Sequence, residues 1–182
     1  MITYSHSELV EIAYKWVLKN GSCGVAFKEL KTGVTDEIPD VIGFGSGHSF
    51  LVEVKVSRSD FLSDSKKPFR LNPSRGMGLH RYYCCPEGLI DKSELPEGWG
   101  LICVDANGKA RRTHRPTKPN PEYEDRSLPY YHTRNIDAEL GLLYSVARRL
   151  FLRGRIDEIY EDLRERREER NAIINQQNQP TT

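Results

Sequence analysis

The 182-residue sequence has no apolar run approaching the roughly 18 residues that a membrane-spanning helix requires. Its opening residues, Met1-Ile2-Thr3-Tyr4-Ser5-His6, lack the basic region and apolar stretch of a signal peptide. Neither a membrane protein nor a Sec-exported one is expected, and a cytoplasmic setting is. Net charge is almost missing too: 27 Lys and Arg stand against 26 Asp and Glu, a formal +1. That argues against a histone-like sponge for nucleic acid and leaves room for a local basic face. The cysteines, Cys23, Cys84, Cys85 and Cys103, form no CxxC and no Cys/His ladder, so reduced core thiols are expected rather than a zinc site. His6, His48, His80, His114 and His132 are scattered and suggest no ligand set. Gly43-Phe44-Gly45 precedes no helix and is no dinucleotide fingerprint. Hydrophobic residues make up only 37% and charged ones 29%, which implies a compact core with charge on exposed helices or tails.

What is present reads as a mixed α/β domain. Ser5-His6-Ser7-Glu8 has the form of a capping box, and Leu9, Ile12, Ala13, Trp16 and Val17 follow at helical spacing up to Asn20-Gly21. Strands are predicted over Cys23–Lys31, Ile38–Phe44 and Ser49–Val56. A short helix follows over Arg58–Lys67, capped by Ser57 and stopped at Pro68, then strands over His80–Cys85 and Gly100–Asp105. Residues 1–105 form the core on this reading. Residues 106–132, rich in Pro, Lys and Arg, read as a long basic loop. Residues 133–175 read as helices. The first spans Asn135–Arg153, with Ile136, Leu140, Leu143, Ala147 and Leu150 on one face, and Gly154 breaks it. Ile156, Ile159, Tyr160 and Leu163 of the second need a partner, either their own domain or a second copy in a homodimer. Residues 176–182 are expected to be disordered.

The informative stretch runs from Glu37-Ile38-Pro39-Asp40 to Glu53-Val54-Lys55. An acid-x-Lys tripeptide alone means little, since Glu29-Leu30-Lys31 and Asp64-Ser65-Lys66 share the form. The surroundings separate the one at Glu53. A two-residue turn at Ser46-Gly47 is the natural hairpin connection, and it sets Asp40 opposite Glu53 and Ile38 opposite Lys55. Asp40, Glu53 and Lys55 then emerge on one face. Two facing carboxylates repel unless a divalent cation sits between them, and oxygen ligands suit Mg²⁺ or Mn²⁺. The rest of the hairpin is apolar on both faces, so it is central in its sheet and the acids stand at the sheet's end. The ordinary alternative is a pair of solvated edge carboxylates beside a lysine.

Pro39-Asp40, twelve residues and then Glu53-Val54-Lys55 resemble the PD-(D/E)XK nuclease superfamily, as does the order helix, three strands, helix, strand. Residues Glu53 to Lys66, with Ser57, Asp60, Phe61 and Asp64, look most like the branch of MmcB-type DNA-repair proteins and related phage proteins. The resemblance implies a restriction-endonuclease-like core: a helix, a three-stranded antiparallel meander, a second helix and further strands, with a C-terminal helical extension. It implies a Mg²⁺- or Mn²⁺-dependent DNA nuclease of repair, recombination or phage DNA processing, or a catalytically silent DNA-binding module on the same fold. Asp40 and Glu53 would hold the metal with the Val54 carbonyl, and Lys55 would orient water or stabilise charge on phosphate. A further acid is expected from Glu29 in the first strand, with Glu8 as runner-up. Asp60 and Asp64 read equally well as groups supporting the ligands and as helix-terminal and surface charges. Lys66, Lys67, Arg70 and Arg75 lie in a Pro- and Gly-containing loop that suits phosphate contacts, although a solvated basic loop has the same composition.

Overall fold

Ser5 and Glu8 satisfy each other's backbone. Ser5 Oγ accepts from the Glu8 N–H at 3.3 Å, and the Ser5 N–H donates to Glu8 Oε2 at 2.8 Å. This capping box starts α1 (His6–Asn20), whose Leu9, Val10, Ala13, Trp16 and Val17 are buried. A computed structural model of the chain describes residues 4–33, 37–119 and 127–177. They belong to two compact units, one up to Glu139 and one from Leu140 onward.

In the first unit six strands pair in chain order: β1 (Val25–Lys28), β2 (Val41–Gly45), β3 (His48–Val54), β4 (His80–Pro86), β5 (Trp99–Val104) and β6 (Ala110–His114). The first three form an antiparallel meander. β4 runs parallel to β3 and β5 parallel to β4, while β6 returns antiparallel. The β3–β4 crossover carries α2 (Arg58–Asp64) and the four-residue α3 (Pro68–Leu71). A small ribbon of β7 (Thr117–Pro119) and β8 (Ser127–Pro129) follows. α1 packs on the face presented by Phe50, Val52, Val54, Tyr82 and Cys84. Val41, Ile42, Leu51 and Val52 are all fully buried, so the β2–β3 hairpin is central. Its turn at Ser46-Gly47, with Gly47 at φ 78°, gives the predicted register from Val41↔Val52 to Gly45↔His48. All four cysteines are free, buried thiols.

Several boundaries differ from expectation for identifiable reasons. β1 ends at Lys28, because Glu29 turns out of the ladder with φ 46° and donates its N–H to the Asp40 carbonyl at 3.1 Å. β2 starts only at Val41, since Pro39 cannot donate to a ladder. α2 ends at Asp64 rather than Lys67, and Pro68 opens α3 instead of merely stopping a helix. The segment read as a loop contains β6, and the first unit extends through it to Glu139. Among the residues read as the first C-terminal helix, α4 spans Ile136–Leu152, but Ile136 is 63% exposed and Ala138 is buried. Glu139 sets that rotation by accepting from Ser49 Oγ at 2.6 Å and from the Gly78 N–H at 2.8 Å.

In the second unit α4 ends at Gly154, whose φ of 68° lets Arg155 donate back to the Leu150 carbonyl at 3.0 Å. α5 (Asp157–Gln177) follows, with Ile159, Tyr160 and Leu163 half exposed or more. It covers the start of the segment expected to be disordered, whose remainder, 178–182, lies outside the described residues. Among the described residues no helix is long and apolar enough to cross a membrane.

Candidate metal centre

Asp40 stands immediately before β2, where the hairpin register places it opposite Glu53. Its Oδ2 accepts the Val54 N–H at 2.7 Å, so the side chain takes a position that the ladder leaves open. The turned backbone at Glu29 and the first residue of α1 bring two more donors to the same place. His6 Nε2 lies 3.3 Å from Glu29 Oε1 and 3.4 Å from Asp40 Oδ1. One ligand atom each of His6, Glu29 and Asp40 lies within 4.8 Å of the others. Glu29 is therefore beside Asp40, though past the strand rather than in it. Glu8 is elsewhere, held by Ser5 in the capping box. Sequence alone does not single out His6, because spacing does not show where the start of α1 docks.

On the other side of Glu53 lies a buried charge network. Lys55 Nζ donates to Asp64 Oδ1 at 3.0 Å and is 3.5 Å from Glu53 Oε2. Lys67 Nζ is 2.8 Å from Asp64 Oδ1 and 3.3 Å from Glu53 Oε2. Arg70 reaches Asp64 Oδ2 at 2.7 Å, Glu37 Oε1 at 3.2 Å and Glu53 Oε2 at 3.3 Å, with its guanidinium 4.4 Å from the Trp99 ring centroid. Tyr83 donates its hydroxyl to Asp64 Oδ2 at 2.7 Å, and the Met77 N–H donates to Glu37 Oε2 at 2.6 Å. Asp64 is thus neither a surface charge nor a helix cap. It is fully buried and holds Lys55 in place. Asp60 is the partly exposed member of the pair, with its Oδ1 3.8 Å from Lys55 Nζ.

Two features of this arrangement bear on metal. Glu53 is 2% exposed and gives Oε2 to three cations, yet its Oε1 has no hydrogen-bond partner. A buried carboxylate oxygen without a partner is costly and calls for a cation. Burial, and then the charge of Glu53, push the Asp40 carboxyl up to about 6, as two acids facing one cation site would. Asp64 behaves oppositely. Burial alone would raise it, but Arg70, Lys55 and the hydrogen bonds from Lys67 and Tyr83 outweigh burial and hold it well below the usual carboxylate range. Burial raises Glu37.

Of the residues expected to touch phosphate, Lys67 and Arg70 are turned onto the site's own acids, whereas Lys66 and Arg75 are exposed. Glu37 and Tyr83 join Asp64 in this network without any distinguishing sequence signal of their own. Charged residues become buried only where tertiary partners compensate them. Compared with protein-family models, curated proteins and solved structures, the chain matches none.

Proposed function

We propose that this protein is a metal-dependent nuclease that hydrolyses phosphodiester bonds in DNA on a PD-(D/E)XK-like core. The observation that carries this reading is the meeting of Asp40, Glu29 and His6 at the end of the central hairpin, where Asp40 stands opposite Glu53, whose buried Oε1 is unpartnered. Carboxylate oxygens with one imidazole suit Mg²⁺ or Mn²⁺. Asp40 and Glu53 are the principal ligands, with Glu29 and His6 completing the set. A divalent ion bound there supplies an activated water and neutralises charge on the phosphate.

The chain's own groups do the rest. Asp40 must release its proton to serve as a ligand, which its raised pKa sets near pH 6. Asp64, held anionic, fixes the Lys55 ammonium beside Glu53, where it stabilises charge developing on a phosphate oxygen. Exposed Lys66 and Arg75 contact flanking phosphates and set register rather than sequence choice.

The test is incubation of supercoiled, linear and branched DNA, and of RNA, with the protein and Mg²⁺ or Mn²⁺. Cleavage that vanishes in EDTA and in Asp40→Asn is expected. Metal and DNA binding without cleavage of any substrate would replace the enzyme by a silent binding module. Cleavage undiminished in Asp40→Asn would remove the chemistry from this hairpin.

A further inference from the structure

At the opposite end of the hairpin lies a cavity of about 540 Å³ that the proposed reaction does not use. It opens between the Ser46-Gly47 turn, the start of β4 at His80, the end of α1 and the stretch after β6. From His48 to Glu53 along β3 is roughly 17 Å at about 3.3 Å per residue, so the cavity and the acid centre are separate places. Its size falls within the roughly 300–1,000 Å³ of small-molecule sites.

The lining is selective in two ways. In a chain of nearly balanced charge, no Asp or Glu is among the described residues lining the cavity, whereas Arg112, Arg115, His48 and His80 are. Burial first, and then the neighbouring His48 and Arg115, lower the pKa of His80. The cavity is also walled by aromatic rings. Phe50 and Tyr82 stack at 4.7 Å between centroids, Phe50 and His80 lie 5.5 Å apart, and His80 and Tyr131 lie 5.2 Å apart. Tyr131 is 51% exposed, which leaves ring surface free. The end of α1 turns backbone carbonyls toward this region, so an anion belongs on the arginine wall.

We propose that this cavity binds a nucleotide unit, with phosphate on Arg112 and Arg115 and the base against the His80–Tyr131 rings. Guanidinium groups suit phosphate and aromatic faces accept any base. A free nucleotide and a nucleotide within a single strand present the same chemistry, and both are tested.

Binding of AMP, of a 5′-phosphorylated oligothymidylate and of inorganic phosphate is measured by titration calorimetry in EDTA, which takes metal out of the comparison. AMP or the oligonucleotide should bind more tightly than inorganic phosphate. Binding of AMP identifies a free-nucleotide site, whereas binding of the oligonucleotide alone identifies a strand contact. Tyr131→Ala should weaken binding by about tenfold or more, the loss of one stacked base. The double substitution Arg112→Ala/Arg115→Ala should weaken it and lower the oligonucleotide's salt slope. All three side chains are exposed, and unchanged melting temperatures would confirm intact folds. Hydrogen-exchange protection should appear at residues 46–50 and 79–82. Absence of binding by AMP and oligonucleotide at about 1 mM, equal affinity for inorganic phosphate, or affinity unchanged in both variants would overturn the proposal.

Discussion

Asp40→Asn should make the metal-free protein more stable at neutral and alkaline pH while destroying its metal site. The Asp40 carboxyl is raised from 3.8 to about 6 in the folded chain, by burial and then by the Glu53 charge. A carboxyl whose folded pKa exceeds its unfolded one favours the fold while protonated. Its contribution is present in full below about 3.8 and is lost as pH rises through about 6. At about pH 8 the ionised side chain therefore costs the fold about 3 kcal/mol. Asparagine avoids that cost, and its carbonyl oxygen can still accept the Val54 N–H. The gain is therefore about 3 kcal/mol at about pH 8 and shrinks towards zero at about pH 4. Urea unfolding in EDTA reads it as a midpoint rise of about 1–2 M at an unchanged slope. An Asn variant less stable than the parent at about pH 8, or a difference independent of pH, would refute the reasoning.

Other substitutions separate the network from the metal ligands. Asp64→Ala leaves Lys55 and Arg70 buried without their shared acid and should cost about 3–5 kcal/mol in the same unfolding assay, whereas Asp60→Ala should cost less than about 1 kcal/mol. Equal effects would show that burial of Asp64 does not matter. Lys55→Met should lower cleavage by about two to three powers of ten with metal binding retained. Because Lys55 also satisfies Asp64, it should lose about 1–3 kcal/mol of stability, so rates are compared below the unfolding transition. Undiminished cleavage by folded Lys55→Met would remove Lys55 from the mechanism.

The hairpin was legible because three local signals agree. The Ser46-Gly47 turn sets the register, the apolar run on both faces marks a central position, and Asp40 and Glu53 interrupt it at one end. The capping box at Ser5 was equally plain, since both of its bonds join near neighbours. β6 was hidden because its burial is slight: Arg111, Arg112 and Thr113 are exposed, and pairing with β5 rather than an apolar pattern makes it a strand. Arg70 reads as a surface phosphate contact until the fold surrounds it with Glu37, Glu53 and Asp64. Arg81 likewise looks like an ordinary basic residue but is 1% exposed, with its guanidinium donating to the carbonyls of Met77, Gly78, Pro73, Gly76 and Thr133. These partners lie far apart in sequence or in irregular loops, where no periodicity announces them. His6 joins the centre for the same reason, because docking of α1 against the sheet is a tertiary event.

The most direct measurement is anomalous diffraction from crystals grown with Mn²⁺. The expected result is a peak within about 2.2 Å of an Asp40 carboxylate oxygen, with Glu53 Oε1 turned to the ion and Glu29 or His6 completing the shell. A fully occupied Mn²⁺ bound elsewhere, or no ion on Asp40 at saturating Mn²⁺, would contradict a metal centre on this hairpin.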